Sequence, residues 1–279
     1  MKQLAITADD FGLRRDQDPG IIEVCEKGVV THVSLVANGE NIDEAARFLK
    51  SHPQTSVGVH LNISEGKPLS DSIGLKLLLD KEGKFLGKHR TVGLVILLHP
   101  SLTEAVEQEY RAQIERVLSL GVKISQLNAH GHLHLHPSLF GRVVKLASEH
   151  QIPFVRVVDE WPSLRFLPQF PKAWRKTFLL WGLTWKAKLC SGSIKGVVLN
   201  RSRGAFDSGR LTQLERLSQI LSCLPEGFTE LFCHPGTCSE RDYDHEGEKA
   251  LMISNETKEW IRRSQIQLTN FSNLKDASI

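Results

Sequence analysis

From Leu127 to Pro137 the chain reads Leu-Asn-Ala-His-Gly-His-Leu-His-Leu-His-Pro, so His130, His132, His134 and His136 fall at every second position. On an extended strand alternate side chains share a face. An imidazole withdrawn from water needs a partner for each ring nitrogen, and a metal ion or a proton is the partner that suits such a row. Same-face neighbours on a strand stand about 6.6–6.8 Å apart, and His130 and His136 would span about 20 Å if the strand continued, so the four cannot share one ion. One or two are expected as ligands, and the others along a substrate groove or behind the ligands.

Three further positions carry chemistry. Thr7-Ala8-Asp9-Asp10-Phe11-Gly12 places adjacent carboxylates where an apolar run opens into a loop. Neighbouring side chains point different ways, so one acid can bind a cation while the other takes a proton. The competing reading is a turn with a helix cap, for which Asp is favoured. His60 closes the apolar run from Val57, and His234 closes Leu231-Phe232-Cys233. Each alone reads as a satisfied core histidine, but an Asp pair and three histidine sites all at strand ends make a pattern. Asp, His and His form a mixed O/N set suited to zinc and open to other divalent ions. Three protein ligands leave room for water and substrate, as a catalytic site requires.

The elements that must position these groups alternate. Strands are expected at Leu4–Thr7, Val33–Val36, Val57–Leu61, Ile124–Asn128, Phe154–Val158, Gly196–Leu199 and Glu230–Cys233. Helices are expected at Gly20–Lys27, Asn41–Ser51, Leu102–Leu120, Leu139–His150, Leu211–Leu224 and Glu246–Arg263. Repeated β-then-α units imply a parallel sheet or barrel, with sites at the carboxyl ends of the strands.

The 279 residues are 41% hydrophobic and 24% charged, which fits a folded core and disfavours bulk disorder. A net charge of +3 does not by itself suggest nucleic acid as a partner. Five cysteines without a Cys-x-x-Cys pair argue against a disulfide framework and for a reducing compartment. No signal peptide or membrane span is expected, so the cytoplasm is the expected location.

Residues 161–195 depart from this rhythm, with seven Lys/Arg, no Asp/Glu and four of the five tryptophans. Trp174, Phe178, Trp181 and Trp185 recur at helical spacing. The segment reads as an insertion after a barrel strand. Its helix either packs the aromatic stripe on the barrel or touches a membrane surface or lipid through residues 172–189, at the inner membrane face.

Together, Ala8-Asp9-Asp10-Phe11-Gly12-Leu13, Gly20-Ile21, Gly58-Val59-His60-Leu61, the His130-x-His132-x-His134 row and His234-Pro235 resemble the YdjC-like carbohydrate deacetylases. That resemblance implies a single domain over 1–279 folded as an irregular, TIM-like (β/α) barrel of about seven strands with one divalent metal, magnesium in the family, zinc being chemically plausible too. It implies Asp10, His60 and His130 as metal ligands, Asp9 as general base, His234 as general acid and Arg156 as the group steadying Asp9. His132, His134 and Asn62 are then expected in the substrate groove or behind the ligands. The implied reaction removes an acetyl group from an N-acetylglucosamine-type sugar.

Two positions depart from the family pattern: Asn128-Ala129 stands where most members have Asp-Ser, and Asp18 where Asn is usual. The first change removes a carboxylate that could tune a ligand. Asn128-Ala129-His130, with Glu230 to Pro235, is closer to a subgroup associated with hopanoid biosynthesis, which implies a lipid-linked sugar. Free chitooligosaccharides as substrate, a non-catalytic sugar-binding barrel and a homodimer stay open. A two-carboxylate glycosidase using Asp9 with Asp10 or Glu65 is disfavoured, because adjacent acids are poorly placed to flank a sugar ring and the histidines would be idle. A phosphoesterase lacks a Gly-rich phosphate loop.

Overall fold

The computed structural model describes residues 1–161, 164, 170–190, 196–239 and 243–274. Seven parallel strands close a barrel: β1 (Lys2–Phe11), β2 (His32–Leu35), β3 (Ser56–Leu61), β4 (Ile124–Ala129), β5 (Phe154–Val158), β6 (Val198–Arg203) and β7 (Gly227–Cys233), each beside the next, with β1 against β7 and β2. Closure leaves both faces of the strands covered, which is why they read as unbroken apolar runs.

The strand β8 (Gln267–Leu268) had no counterpart in the sequence reading. On one side β1 pairs with β7 from Lys2 to Ala8; on the other it pairs with β8 at Gln3 and Leu4, and with β2 from Thr7 onward. β8 therefore fills the seam where β1 and β2 diverge. Just beyond it Phe271 closes the floor, its ring 5.0 Å from Phe228, 5.2 Å from Phe154 and 4.4 Å from His32.

Around the barrel run α1 (Asp18–Lys27), α2 (Ile42–Ser51), α3 (His89–Leu98), α4 (Leu102–Ser119), α5 (Phe140–Glu149), α6 (Pro171–Cys190), α7 (Leu214–Ser222), α8 (His245–Ile253) and α9 (Asn255–Arg263). α2 shows the usual logic: Ile42, Ala45, Ala46 and Leu49 form its buried stripe, and Asp43 and Glu44 complement its N-terminal dipole. The single helix expected over Glu246–Arg263 is two, because Ser254 turns extended (ψ 145°) and its hydroxyl accepts the Thr257 N–H at 3.0 Å, starting α9. α3 was not anticipated: its run of apolar and β-branched residues has no helical period.

The histidine row does not lie on a strand. β4 stops at Ala129, and Gly131 and His132 then adopt left-handed conformations (φ 62° and 58°), folding His130–Leu135 into tight helical turns. Alternate positions therefore do not share a face.

Of the expected insertion at 161–195, residues 162, 163, 165–169 and 191–195 lie outside the described residues. α6 belongs to it, between β5 and β6, and packs on the body through Thr177, Leu180, Thr184 and Ala187. Its aromatic groups are less covered. Phe178 is 42% exposed and Trp185 52% exposed, while Trp174 and Trp181 are partly buried. The aromatic side chains stack on one another, Trp174 on Phe178 at 5.2 Å and Phe178 on Trp181 at 6.0 Å.

Candidate active site

Asp9 and Asp10 stand just before the last residue of β1, both buried. Asp10 takes a left-handed backbone conformation, φ 68°. Strain of this kind collects at functional sites. Gly12 follows at φ 81°, and its N–H donates to Asp18 Oδ1 at 2.9 Å. Asp18 also accepts from Asn41 Nδ2 at 2.6 Å, so the residue that departs from the family pattern braces the loop after the two acids. Burial pushes its carboxyl up to about 6.

Asp9 points to the barrel axis, where Arg156 of β5 grips it with both terminal nitrogens, at 2.6 and 2.9 Å. The same guanidinium donates to Glu230 of β7 at 2.6 and 3.1 Å. Arg156 and Glu230 are fully buried. Burial pushes the Asp9 carboxyl up, but Arg156 and His60 more than reverse this and hold it well below the usual carboxylate range.

Asp10, His60 and His130 converge from three strand ends. Asp10 Oδ1 lies 3.2 Å from His60 Nε2 and 2.7 Å from His130 Nδ1. A carbonyl oxygen accepts from the far side of His60: its Nδ1–H donates to Asn128 Oδ1, which turns Nε2 toward Asp10. Asn128 Nδ2 in turn donates to Gln126 Oε1 at 2.7 Å and Ser34 Oγ at 2.8 Å, and Gln126 Nε2 to Glu230 Oε2 at 2.8 Å. One buried chain of side-chain amides thus ties His60 to the acid that holds Arg156.

The donor set fits a divalent cation: one carboxylate oxygen and two imidazole nitrogens lie within 4.8 Å of one another. Electrostatics favour a positive charge there. Burial pushes the His130 ring down, but Asp10 and Glu65 overturn that and raise it to about 10. Glu65, His89 and a His130 nitrogen form a second such cluster.

His234, just past β7, faces the same cavity. Its backbone N–H donates to Glu248 of α8 and its carbonyl accepts from His245 Nδ1. Its own Nδ1 has no hydrogen-bond partner among the described residues. Burial pushes the ring down to about 4, so it rests neutral.

The remaining residues singled out from the sequence divide. His132 lines the cavity edge-on to Phe232 at 5.2 Å. His134 is fully buried; its Nε2–H donates to the Arg156 carbonyl at 2.9 Å, so it supports β5 from behind. Asn62 is fully buried and binds Asn38, Ser64 and Glu65 rather than facing open space. Glu230, Gln126 and His89 were not singled out. An acid inside the run Thr229–Cys233 is the signal that could have found Glu230, because such a residue is either on the surface or paired.

Asp9, Asp10, His60, His130 and His234 form the floor of a cavity of 1190 Å³. Its walls are apolar: Leu94 and Leu97 of α3, and Trp174, Phe178, Leu179 and Leu183 of α6. Cations line it too, Arg90, Lys172, Arg175 and Lys176 among them. No helix of the described residues is long and apolar enough to cross a membrane.

Residues 3–263 match the model of the family described as YdjC-like protein. A carbohydrate deacetylase of Thermoanaerobacter pseudethanolicus is 27% identical over 99% of this chain and 100% of its own length. A carbohydrate deacetylase of Brevibacillus brevis is 36% identical over 54% of this chain, and the match spans 58% of that protein. A chitooligosaccharide deacetylase of Escherichia fergusonii is 36% identical over 53% of this chain and 57% of its own. In two of these three relatives the chain thus spans little more than half of the protein. An Enterococcus faecalis crystal structure assigned to cellobiose-phosphate cleavage superposes with a TM-score of 0.77 at 23% identity over 99% of both chains, a likeness of fold.

Proposed function

Because the chain belongs to the YdjC-like protein family, we propose that it is a metal-dependent hydrolase that removes the acetyl group from an N-acetylglucosamine-type sugar. The observation that carries this reading is the triangle of Asp10 Oδ1, His60 Nε2 and His130 Nδ1 beside the Asp9–Arg156 pair and His234 in one cavity. The relatives named carbohydrate or chitooligosaccharide deacetylase support it.

Asp10, His60 and His130 hold the cation, magnesium by family resemblance, although the donor set also suits zinc. A divalent ion in such a site supplies Lewis acidity toward an amide carbonyl and makes water more acidic. The residues do the rest. Asp9, kept ionised by Arg156, accepts a proton from the attacking water. His234 delivers a proton to the amide nitrogen as its bond to carbon breaks, since nitrogen leaves poorly unless protonated. His234 rests neutral, so one proton, taken up by Asp9 and returned by way of His234, closes the balance. The products are acetate and the free amine.

The finer reading is a substrate whose amino sugar is joined to a lipid, as in the hopanoid-associated subgroup. The apolar walls from α3 and α6 suit an aglycone, and the outward Leu97, Leu98, Phe178, Leu179, Trp185 and Leu189 with Lys172, Arg175, Lys186 and Lys188 suit peripheral contact with an anionic lipid surface on the cytoplasmic side. Free chitooligosaccharides are the second reading, favoured by the Escherichia fergusonii relative. Acetate release, followed by proton NMR, from a lipid-linked N-acetylglucosamine and from chitobiose separates them. Release from the lipid conjugate that falls at least tenfold in a Phe178→Ser/Trp185→Ser double variant supports the lipid reading. Equal turnover of chitobiose by wild type and variant supports the other. Release from neither removes the deacetylase assignment.

A further inference from the structure

His130 is addressed from both sides. Its Nδ1 lies 2.7 Å from Asp10 Oδ1 and its Nε2 lies 3.3 Å from Glu65 Oε1. One imidazole thus spans the ligand carboxylate and a second carboxylate from the loop after β3.

That loop is built to present Glu65. The Asn62 side chain folds back on it: Oδ1 accepts the Ser64 and Glu65 N–H groups at 3.0 and 3.1 Å, and Nδ2 donates to the Glu65 carbonyl at 2.9 Å. Asn38 Nδ2 donates to the same carbonyl at 3.0 Å. Asn62 itself is fixed by Gln113, which accepts its backbone N–H at 2.8 Å and donates to its carbonyl at 2.6 Å. The Glu65 backbone is therefore locked although its carboxylate is partly open to the cavity.

His60 makes the contrast. Its outer nitrogen donates to an amide oxygen, that of Asn128. The two ligand histidines thus have different supports, a neutral one for His60 and an anionic one for His130. A carboxylate that accepts the outer N–H of a ligand histidine fixes the tautomer, holds the ring plane and makes the inner nitrogen more basic.

We propose that Glu65 is the positioning residue of His130: by accepting the Nε2–H it commits the Nδ1 lone pair to the cation held with Asp10 and His60. The proposal rests on the metal-site reading above. It also gives Asn62 a purpose, as the clamp of the loop that carries the carboxylate, and it places the anionic support on the histidine that the Asn128 side chain does not hold.

The test is zinc affinity of the full chain, measured by competition with a chromophoric chelator for wild type, Glu65→Ala, Glu65→Gln, Glu65→Asp and His60→Ala. Circular dichroism verifies that each variant is folded. Glu65→Ala is expected to lose about 10–100-fold in affinity. Glu65→Gln, which still offers a carbonyl oxygen, loses less, and Glu65→Asp recovers part of the loss. Long-range proton–nitrogen NMR of the zinc-loaded protein is expected to show His130 protonated at Nε2 in wild type and a mixed tautomer in Glu65→Ala. Tight wild-type binding with unchanged affinity and tautomer in Glu65→Ala overturns the proposal and leaves the metal site standing. Two zinc equivalents in wild type and one in Glu65→Ala overturn it as well, because Glu65 would then be a ligand of a second ion with His89. Wild-type binding no tighter than that of His60→Ala overturns the metal-site reading, and this proposal with it.

Discussion

Arg156 and Glu230, 74 residues apart in sequence, meet at the barrel axis as a fully buried ion pair, with contacts at 2.6 and 3.1 Å. The guanidinium is shared with Asp9, so one cation bridges two buried acids. A buried pair is weak evidence for added stability, but breaking it is costly because the partners are left charged and dry.

Arg156→Ala is therefore expected to lower unfolding free energy by about 3–5 kcal/mol, with Arg156→Lys in between because a point charge cannot serve both carboxylates. Urea unfolding measures this. A loss below about 1 kcal/mol, the scale of an exposed pair, would mean that water or a rearranged neighbour takes the place of the guanidinium.

Asp9→Asn keeps shape and hydrogen-bonding size but cannot take a proton. Acetate release should fall by about 10²–10⁴-fold, while metal content by elemental analysis stays at the wild-type level. Near-normal turnover would remove Asp9 from the role of base; lost metal would make it a ligand.

His60→Ala should deplete bound metal. Asn128→Ala should weaken binding by about 10–100-fold, because the ring of His60 then loses the partner that fixes its tautomer. Calorimetric titration of both variants tests the order. Equal affinity in wild type and Asn128→Ala would contradict it.

Glu248 couples the site to pH. Burial pushes its carboxyl from 4.5 up to about 7, against the backbone N–H groups of His234 and Leu211 that donate to it. The folded chain binds the proton more tightly than the unfolded chain, so this group's contribution to stability is full below about pH 4.5 and is lost as pH rises through about 7. The loss is on the order of 3 kcal/mol. Glu248→Gln should remove it: urea midpoints at pH 5 and pH 8 should converge in the variant relative to wild type. Parallel pH dependence in the two proteins would contradict the assignment.

Strand ends were the legible part of the site. An Asp pair and histidines closing apolar runs sat where the closed barrel brings its strand ends together, and all of β1 to β7 overlap their expected positions. The histidine row was legible as chemistry and not as geometry, because left-handed turns at Gly131 and His132 replace the expected extended backbone. Glu230, Gln126 and the amide chain to His60 could not be read, since their partners lie far away in sequence and meet only when the barrel closes. The contacts behind the proposed ligands are likewise long-range: Glu65 and His130 are 65 residues apart.

Phe271 and β8 lie beyond residue 263, where the match to the family model ends, yet they seal the floor and the seam between β1 and β2. Synthesis runs from the N-terminus, so the first strand is made long before its last neighbour. During translation the nascent barrel must wait with its base open, Phe154 and Phe228 uncovered, until residue 271 leaves the ribosome. That interval is when a chaperone has the most to bind, and a stalled or shortened chain is expected to be cleared as misfolded rather than to survive as a loosened barrel.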